Sequence, residues 1–263
     1  MVPKRAIAGD YEAAYREWGE GPPLLLLHGF FGCGRGWEPV MTHLAPHFRC
    51  VALDLLGFGD SAKPDIAYHI DEAAAFVRDF IGALGWGSVP VVGYSYGGWV
   101  AASLAIQHSP LVSKLALVAP AGIRDDDFVG RYDGLRPLLW RSPVVDGVLA
   151  IARRVWPGSP QVQQICEFRT ALQTQPVARA LLCRRLRPED AIDTVEGQLH
   201  RIQVPTLVIA AEGDHTIPRW HCETYAQGIA AARLQVVPNA DHDLLQTHAA
   251  VVAQALCEAL TRP

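Results

Sequence analysis

Residues 91–100 read VVGYSYGGWV. Two valines lead in, a tryptophan and a valine lead out, and Ser95 stands between two tyrosines that glycines flank in turn. The apolar approach predicts a strand ending beside Ser95, and the exit through WVAASLAIQH predicts a helix over 96–108. Gly93-Tyr94-Ser95-Tyr96-Gly97 is then a G-x-S-x-G pentapeptide at a strand-to-helix turn, where a serine is displayed at the top of a sheet. The turn is tight enough that its neighbours must be small, which gives Gly93 and Gly97 a steric reason, and Gly98 lets the helix lie close to the sheet. The helix start also favours negative charge developing nearby. By itself the pentapeptide fits a structural serine in a glycine turn as well as it fits a nucleophile. The rest of the chain has to supply a base, an acid and an oxyanion site.

The same punctuated apolar pattern recurs along the chain. PLLLLHG (23–29), CVALDLLG (50–57), VPVVGYS (89–95), KLALVAPAG (114–122), VPTLVIAAEGD (204–214) and RLQVVPNAD (233–241) each end in Gly, Pro or Asp. Such short runs fit strands buried on both faces. Helical patterns lie between them at 71–84, 96–108 and 243–260. Strands alternating with helices predict an α/β fold with a parallel sheet covered on both sides. Residues 123–200 break the rhythm with short helical pieces interrupted by proline. From Arg136 to Arg187 there are nine arginines (136, 141, 153, 154, 169, 179, 184, 185, 187) against Asp146 and Glu167, a surplus of seven in a chain of net charge −4. This stretch reads as a helical insertion, with the core at 1–122 and 201–263.

The bulk numbers set the remaining bounds. A chain of 263 residues, half of them hydrophobic, can bury a sizeable core. Its acidic balance argues against a nucleic-acid partner. No stretch approaches the roughly 20 apolar residues that a membrane span needs, and the N-terminus lacks the apolar core of a signal peptide. A soluble, cytoplasmic protein is expected. The six cysteines contain no C-x-x-C pair and read as free thiols in a reducing compartment.

A serine nucleophile needs a base, and the base needs an orienting acid. His242 follows the last apolar run, and Asp214 ends the run before it. The order Ser95, Asp214, His242 is that of one known triad class. All three fall just past strand carboxyl ends, where open α/β sheets gather ligands. Asp125, Asp126 and Asp127 are weaker alternatives for the acid. His28-Gly29-Phe30-Phe31-Gly32 follows the LLLL run and supplies a loop that can aim a backbone N–H at a carbonyl oxygen. Phe30 N–H and Tyr96 N–H are assigned as the oxyanion donors. Asp54 and Asp60 read as braces of their loop, and His28 as a shaper of its own.

With these motifs assembled, the chain resembles the α/β-hydrolase fold superfamily over nearly its whole length. The resemblance rests on the HG loop at 28–32, the run Asp54-Leu55-Leu56-Gly57-Phe58-Gly59-Asp60-Ser61, the turn at 93–98, the G-D-x-x-x-P at 213–218 and the late Asp241-His242. It implies a mostly parallel eight-stranded sheet with a helical cap after the sixth strand, which the stretch 123–200 matches. Asp241 departs from the glycine common before the family's histidine, and this should alter the local turn. The resemblance also implies chemistry. Relatives that dehalogenate haloalkanes or open epoxides carry aspartate at the turn, whereas Ser95 favours acyl transfer to water.

The leading expectation is a cofactor-free, metal-free carboxylic ester or thioester hydrolase acting on a small-molecule acyl ester. The alternative is a carbon–carbon hydrolase of anionic ring-cleavage dienoates with the same triad. A non-catalytic ligand-binding protein on the same frame comes last. The arginine-rich cap is expected to attract an anionic substrate or an acidic acyl-carrier partner. Trp140, Trp156, Phe128 and Phe168 are the expected lining of an apolar substrate pocket.

Overall fold

The computed structural model describes residues 2–125, 142–177, 180 and 193–261. The six apolar runs become the strands β3 (Pro23–Leu27), β4 (Arg49–Leu53), β5 (Val89–Tyr94), β6 (Val112–Val118), β7 (Thr206–Ala211) and β8 (Ala232–Val237). Two further strands, β1 (Val2–Ala8) and β2 (Tyr11–Trp18), precede them. All eight form one sheet in the order β1-β2-β4-β3-β5-β6-β7-β8. The pairs β1–β2 and β2–β4 are antiparallel, and every later pair is parallel.

β1 carries no apolar run because it makes the edge of the sheet, and the buried stretch of β2 is only Ala13, Ala14 and Tyr15. β1 is exposed along most of its length, and polar cross-strand pairs take the place of a core face there. Lys4 meets Glu17 at 2.9 Å, and Arg5 pairs with Glu12. Glu17 also accepts from Arg49 of β4 at 2.8 Å, which ties the hairpin to the parallel strands.

Among the described residues the α-helices, in chain order, are α1 (Glu38–Leu44), α2 (Ile70–Ala83), α3 (Tyr96–Gln107), α4 (Pro143–Val155), α5 (Pro160–Thr174), α6 (Arg219–Gly228), the single turn α7 (Leu244–Thr247) and α8 (Ala249–Thr261). Side chains alternate across a strand. Leu24 and Leu26 of β3 therefore join a core with Trp37, Met41, Leu44, Val252 and Leu256, beneath α1 and α8. Leu25 and Leu27, equally buried, face the opposite side of the sheet. α3 is buried from Tyr96 to Ile106 except at Trp99. A helix apolar all round must be covered on all sides, and the small residues of YGGWVAASLAIQ let it lie close to the sheet.

The chain divides into two compact units. The first comprises Met1–Ala62, His69–Ile123 and Asp193–Pro263, and contains the sheet. Residues beyond Asp193 are sewn into it: Val195 N–H donates to Gly122 O at 2.9 Å, and Trp99 Nε1 donates to Asp193 O at 3.0 Å. The second comprises Lys63–Tyr68 and Arg124–Ile192. Its described residues include α4 and α5, bridged by Arg169 to Asp146 at 2.6 Å. α4 turns Val145, Leu149 and Ala152 partly inward and exposes Val144, Val148, Ile151 and Val155 on its outer side. Among the described residues, no helix is long and apolar enough to cross a membrane.

Candidate active site

β5 ends at Tyr94 and α3 begins at Tyr96, so Ser95 alone makes the turn. Its backbone sits at φ 52° and ψ −115°, a left-handed conformation that non-glycine residues rarely adopt. Backbone hydrogen bonds hold it there, among them one from Trp99 N–H to Ser95 O at 3.2 Å. Ser95 N–H donates to Val118 O at 2.9 Å, and Ser95 O accepts from Gly98 N–H at 2.9 Å and Ala121 N–H at 3.0 Å. A Cβ on Gly93 would overlap the Gly97 carbonyl, and one on Gly97 would overlap the Leu27 carbonyl of β3. The glycines are therefore required by backbone-to-backbone approach.

Asp214 follows β7, in a turn that its own side chain builds. Oδ1 accepts from Thr216 N–H and Ile217 N–H, both at 2.8 Å. Oδ2 is left for His242 Nδ1 at 2.7 Å. His242 follows β8, and its Nε2 lies 3.0 Å from Ser95 Oγ. The tautomer with its proton on Nδ1 satisfies both bonds. The Asp214 side chain is only 1% exposed and that of His242 20%, so the acid is sealed and the base opens toward solvent. The two loops are fastened together by Gly213 N–H to Ala240 O at 2.8 Å and Asn239 N–H to Glu212 Oε2 at 3.0 Å. Asp214 is thus the acid on the imidazole Nδ1, and Asp126 and Asp127, the other candidates beside Asp125, lie outside the described residues.

Asp241 uses its carboxylate on the backbone. Oδ1 accepts the His242 N–H at 2.6 Å, which a glycine at that position could not offer. Tyr94 was not assigned a role from sequence, yet its hydroxyl donates to the His242 carbonyl oxygen at 2.7 Å. The signal is weak in sequence because the partners are 148 positions apart.

Phe30 and Tyr96 leave neighbouring strands at the same edge, since Leu27 of β3 pairs with Gly93 of β5. A Cβ built on Gly29 would stand 3.2 Å from Ser95 Cβ, so the HG loop lies directly against the serine. His28 shapes that loop as expected. Nδ1 bonds Gly29 O at 2.7 Å, and Nε2 accepts Leu55 N–H at 3.0 Å, which fixes a neutral Nδ1–H imidazole. Burial holds its pKa below the ordinary 6.5, against the opposing influence of the Gly29 carbonyl and Asp54. Asp54 braces the next loop through Gly34 N–H at 2.6 Å and Asp60 N–H at 2.8 Å. Phe30, Phe58, Tyr96 and Trp99 form a chain of edge-to-face and tilted ring contacts beside the turn, with centroids 5.6–6.2 Å apart.

The remaining expected binding residues belong to the second unit. Trp156 caps α4, is 60% exposed, and shares a cavity of about 710 Å³ with Arg153, Gln163 and Cys166. Phe168 is half-buried on α5. Phe128 and Trp140 lie outside the described residues, as do Arg136, Arg141, Arg179, Arg184, Arg185 and Arg187. Arg153 and Arg154 are exposed. Among the described residues, no group of three or more His, Cys, Asp or Glu side chains is placed to hold a metal ion.

Comparison with known proteins agrees with this fold. The family model described as the alpha/beta hydrolase fold matches residues 22–142. A 2-hydroxy-6-oxo-6-(2'-aminophenyl)hexa-2,4-dienoic acid hydrolase of Metapseudomonas resinovorans is 28% identical over 264 residues, 97% of this chain and 89% of its own. A pimeloyl-[acyl-carrier protein] methyl ester esterase of Vibrio vulnificus is 40% identical over 101 residues, 38% of each chain. The crystal structure of a serine hydrolase involved in carbazole degradation superposes with a TM-score of 0.75 at 29% identity, covering 99% of this chain and 98% of that one. On its sheet order, its turn at Ser95 and these likenesses, the chain belongs to the α/β-hydrolase fold superfamily.

Proposed function

We propose that the protein is a hydrolase that attacks a carbonyl carbon with Ser95 Oγ. The observation that carries this reading is the unbroken chain Ser95 Oγ to His242 Nε2 at 3.0 Å and His242 Nδ1 to Asp214 Oδ2 at 2.7 Å. His242 takes the Ser95 proton as the oxygen attacks. Asp214 holds the imidazole in the required tautomer and balances the imidazolium that forms. The Phe30 and Tyr96 N–H groups receive the charge developing on the carbonyl oxygen, a contribution of about 2.7–4 kcal/mol for each such donor. The imidazolium then returns its proton to the leaving group, and water enters by the reverse path.

For the substrate, the length of the likenesses supports one reading ahead of the other. The dienoic acid hydrolase is similar along nearly all of this chain, and the ester-cleaving relative along about two-fifths of it. We therefore place a 2-hydroxy-6-oxo-dienoate first, with cleavage of the carbon–carbon bond beside the attacked ketone. A carboxylic ester is the second reading, and the acyl-carrier-linked substrate in that relative's name is what favours it. In both, the second unit serves as the helical cap, and the exposed Arg153 and Arg154 attract an anionic substrate or carrier in a cytoplasmic setting.

The test is parallel assay of a 2-hydroxy-6-oxo-6-aryl-hexa-2,4-dienoate and a p-nitrophenyl ester chain-length series, with Ser95→Ala beside the parent. A dienoate kcat/KM at least about 100-fold above the best ester is expected, since such a ratio reflects about 2.7 kcal/mol of preference. The opposite order would put the ester first. Full activity of Ser95→Ala on both would remove the serine mechanism altogether.

A further inference from the structure

His242 lies in the turn between β8 and α7, outside regular structure. Its two ring bonds, to Asp214 and Ser95, both lie along the edge of the imidazole. They leave rocking about the line between the ring nitrogens to be restrained by something at the ring face. The Tyr94 ring occupies that face, with centroids 5.2 Å apart and planes inclined by 33°. The Tyr94 hydroxyl meanwhile holds the backbone of the same residue, through the His242 carbonyl at 2.7 Å. Because Tyr94 directly precedes Ser95, the strand that displays the nucleophile also carries the support of the base.

We propose that Tyr94 is a positioning residue for His242, its hydroxyl anchoring the base's backbone and its ring bracing the imidazole face. The proposal rests on the serine-hydrolase reading above. Three features support it. Burial, reinforced by the negative charges of Asp214, Asp243 and Asp241, raises the pKa of the Tyr94 hydroxyl well above its ordinary value, so it stays a donor at neutral pH. Its ring also makes an edge-to-face contact with Trp37, with centroids 6.5 Å apart, which limits its own movement. An aromatic face about 6 Å or less from a cation attracts it, so the ring favours the imidazolium that forms as the proton moves.

The experiment compares Tyr94→Phe and Tyr94→Leu with the parent and with Ser95→Ala. It reads kcat, KM, the rate of Ser95 phosphonylation by an uncharged p-nitrophenyl phosphonate, and the thermal midpoint. Tyr94→Phe keeps the ring and loses the anchor. It is expected to lower kcat and phosphonylation about tenfold with KM unchanged, the scale of a lost buried hydrogen bond. Tyr94→Leu loses the brace as well and is expected to fall about tenfold further. Both variants within about twofold of the parent in kcat, or a KM rise with kcat intact, would overturn the proposal. If Tyr94→Leu does not fold, Tyr94→Phe decides. Full activity in Ser95→Ala strikes the serine-hydrolase reading instead, so the two failures are distinguishable.

Discussion

Ser95 is buried and carries backbone strain that aims its hydroxyl at His242. A residue at φ 52° and ψ −115° costs about 1–3 kcal/mol unless it is glycine. Ser95→Gly is therefore expected to abolish hydrolysis while raising stability by about 1 kcal/mol in urea titrations. Ser95→Ala should abolish hydrolysis without that gain. Equal stabilities of the two variants would show that the turn is relaxed. Asp214→Asn should keep the two backbone bonds at Oδ1 and lose the correct imidazole tautomer, lowering kcat about 10⁴-fold. A kcat within about tenfold of the parent would mean that another group orients His242. The convergence of Ser95, Asp214 and His242 was legible in the sequence because each follows an apolar run that ends abruptly, and because their order is specific. Tyr94 was not legible as a support. Its function depends on a loop 148 residues away, and no local pattern carries that distance.

Elements were legible in proportion to their burial. Beyond their first residues, β3, β4 and β7 are apolar without interruption because both their faces are covered. The β1–β2 hairpin leaves no apolar run in the sequence because its outer strand faces water and substitutes ion pairs for apolar alternation. The closing helix, expected as one span over 243–260, is broken at His248 into α7 and α8. Periodicity does not register such a break, since Leu244, Leu245, Val252 and Leu256 are buried on both sides of it. The same burial governs the thiols. Cys50 on β4 and Cys222 on α6 have pKa values pushed up to about 12, mainly by removal from water, which disfavours the thiolate. In the native protein at pH 8, iodoacetamide should leave both unmodified while reacting with the half-buried Cys33 and Cys166. Peptide mapping before and after denaturation checks this. Rapid native labelling of Cys50 would mean that β4 opens to solvent.

The whole molecule inherits a pH dependence from two polar ties that join its strands. His28 links the end of β3 to the chain leaving β4, and it does so as a neutral ring accepting Leu55 N–H. Its folded pKa lies below the ordinary 6.5, so below pH 6.5 the unfolded chain binds a proton that the folded chain refuses. Stability contributed here is complete above pH 6.5 and is lost as the pH falls toward the lowered folded value. Glu17 links β2 to β4, and its pKa is lowered chiefly by the Arg49 hydrogen bond, against the opposing effect of burial and with further help from Lys4. Its contribution is present above the ordinary 4.5 and disappears as the pH falls through the depressed folded value. Acid should thus destabilise the fold in two stages, first through the β3–β4 tie and then through the hairpin. Urea unfolding of the parent, His28→Asn and Glu17→Gln between pH 7.5 and pH 3.5 separates them, with these bounds chosen as about one unit beyond each ordinary pKa. His28→Asn should be less stable at neutral pH and lose less than the parent on acidification to about pH 5, because it has no proton to take up in the unfolded state. Glu17→Gln should follow the parent's slope above the ordinary 4.5 and converge with it only as the pH falls through the depressed folded value, where Glu17 itself becomes neutral. Three parallel curves would mean that neither tie titrates with folding.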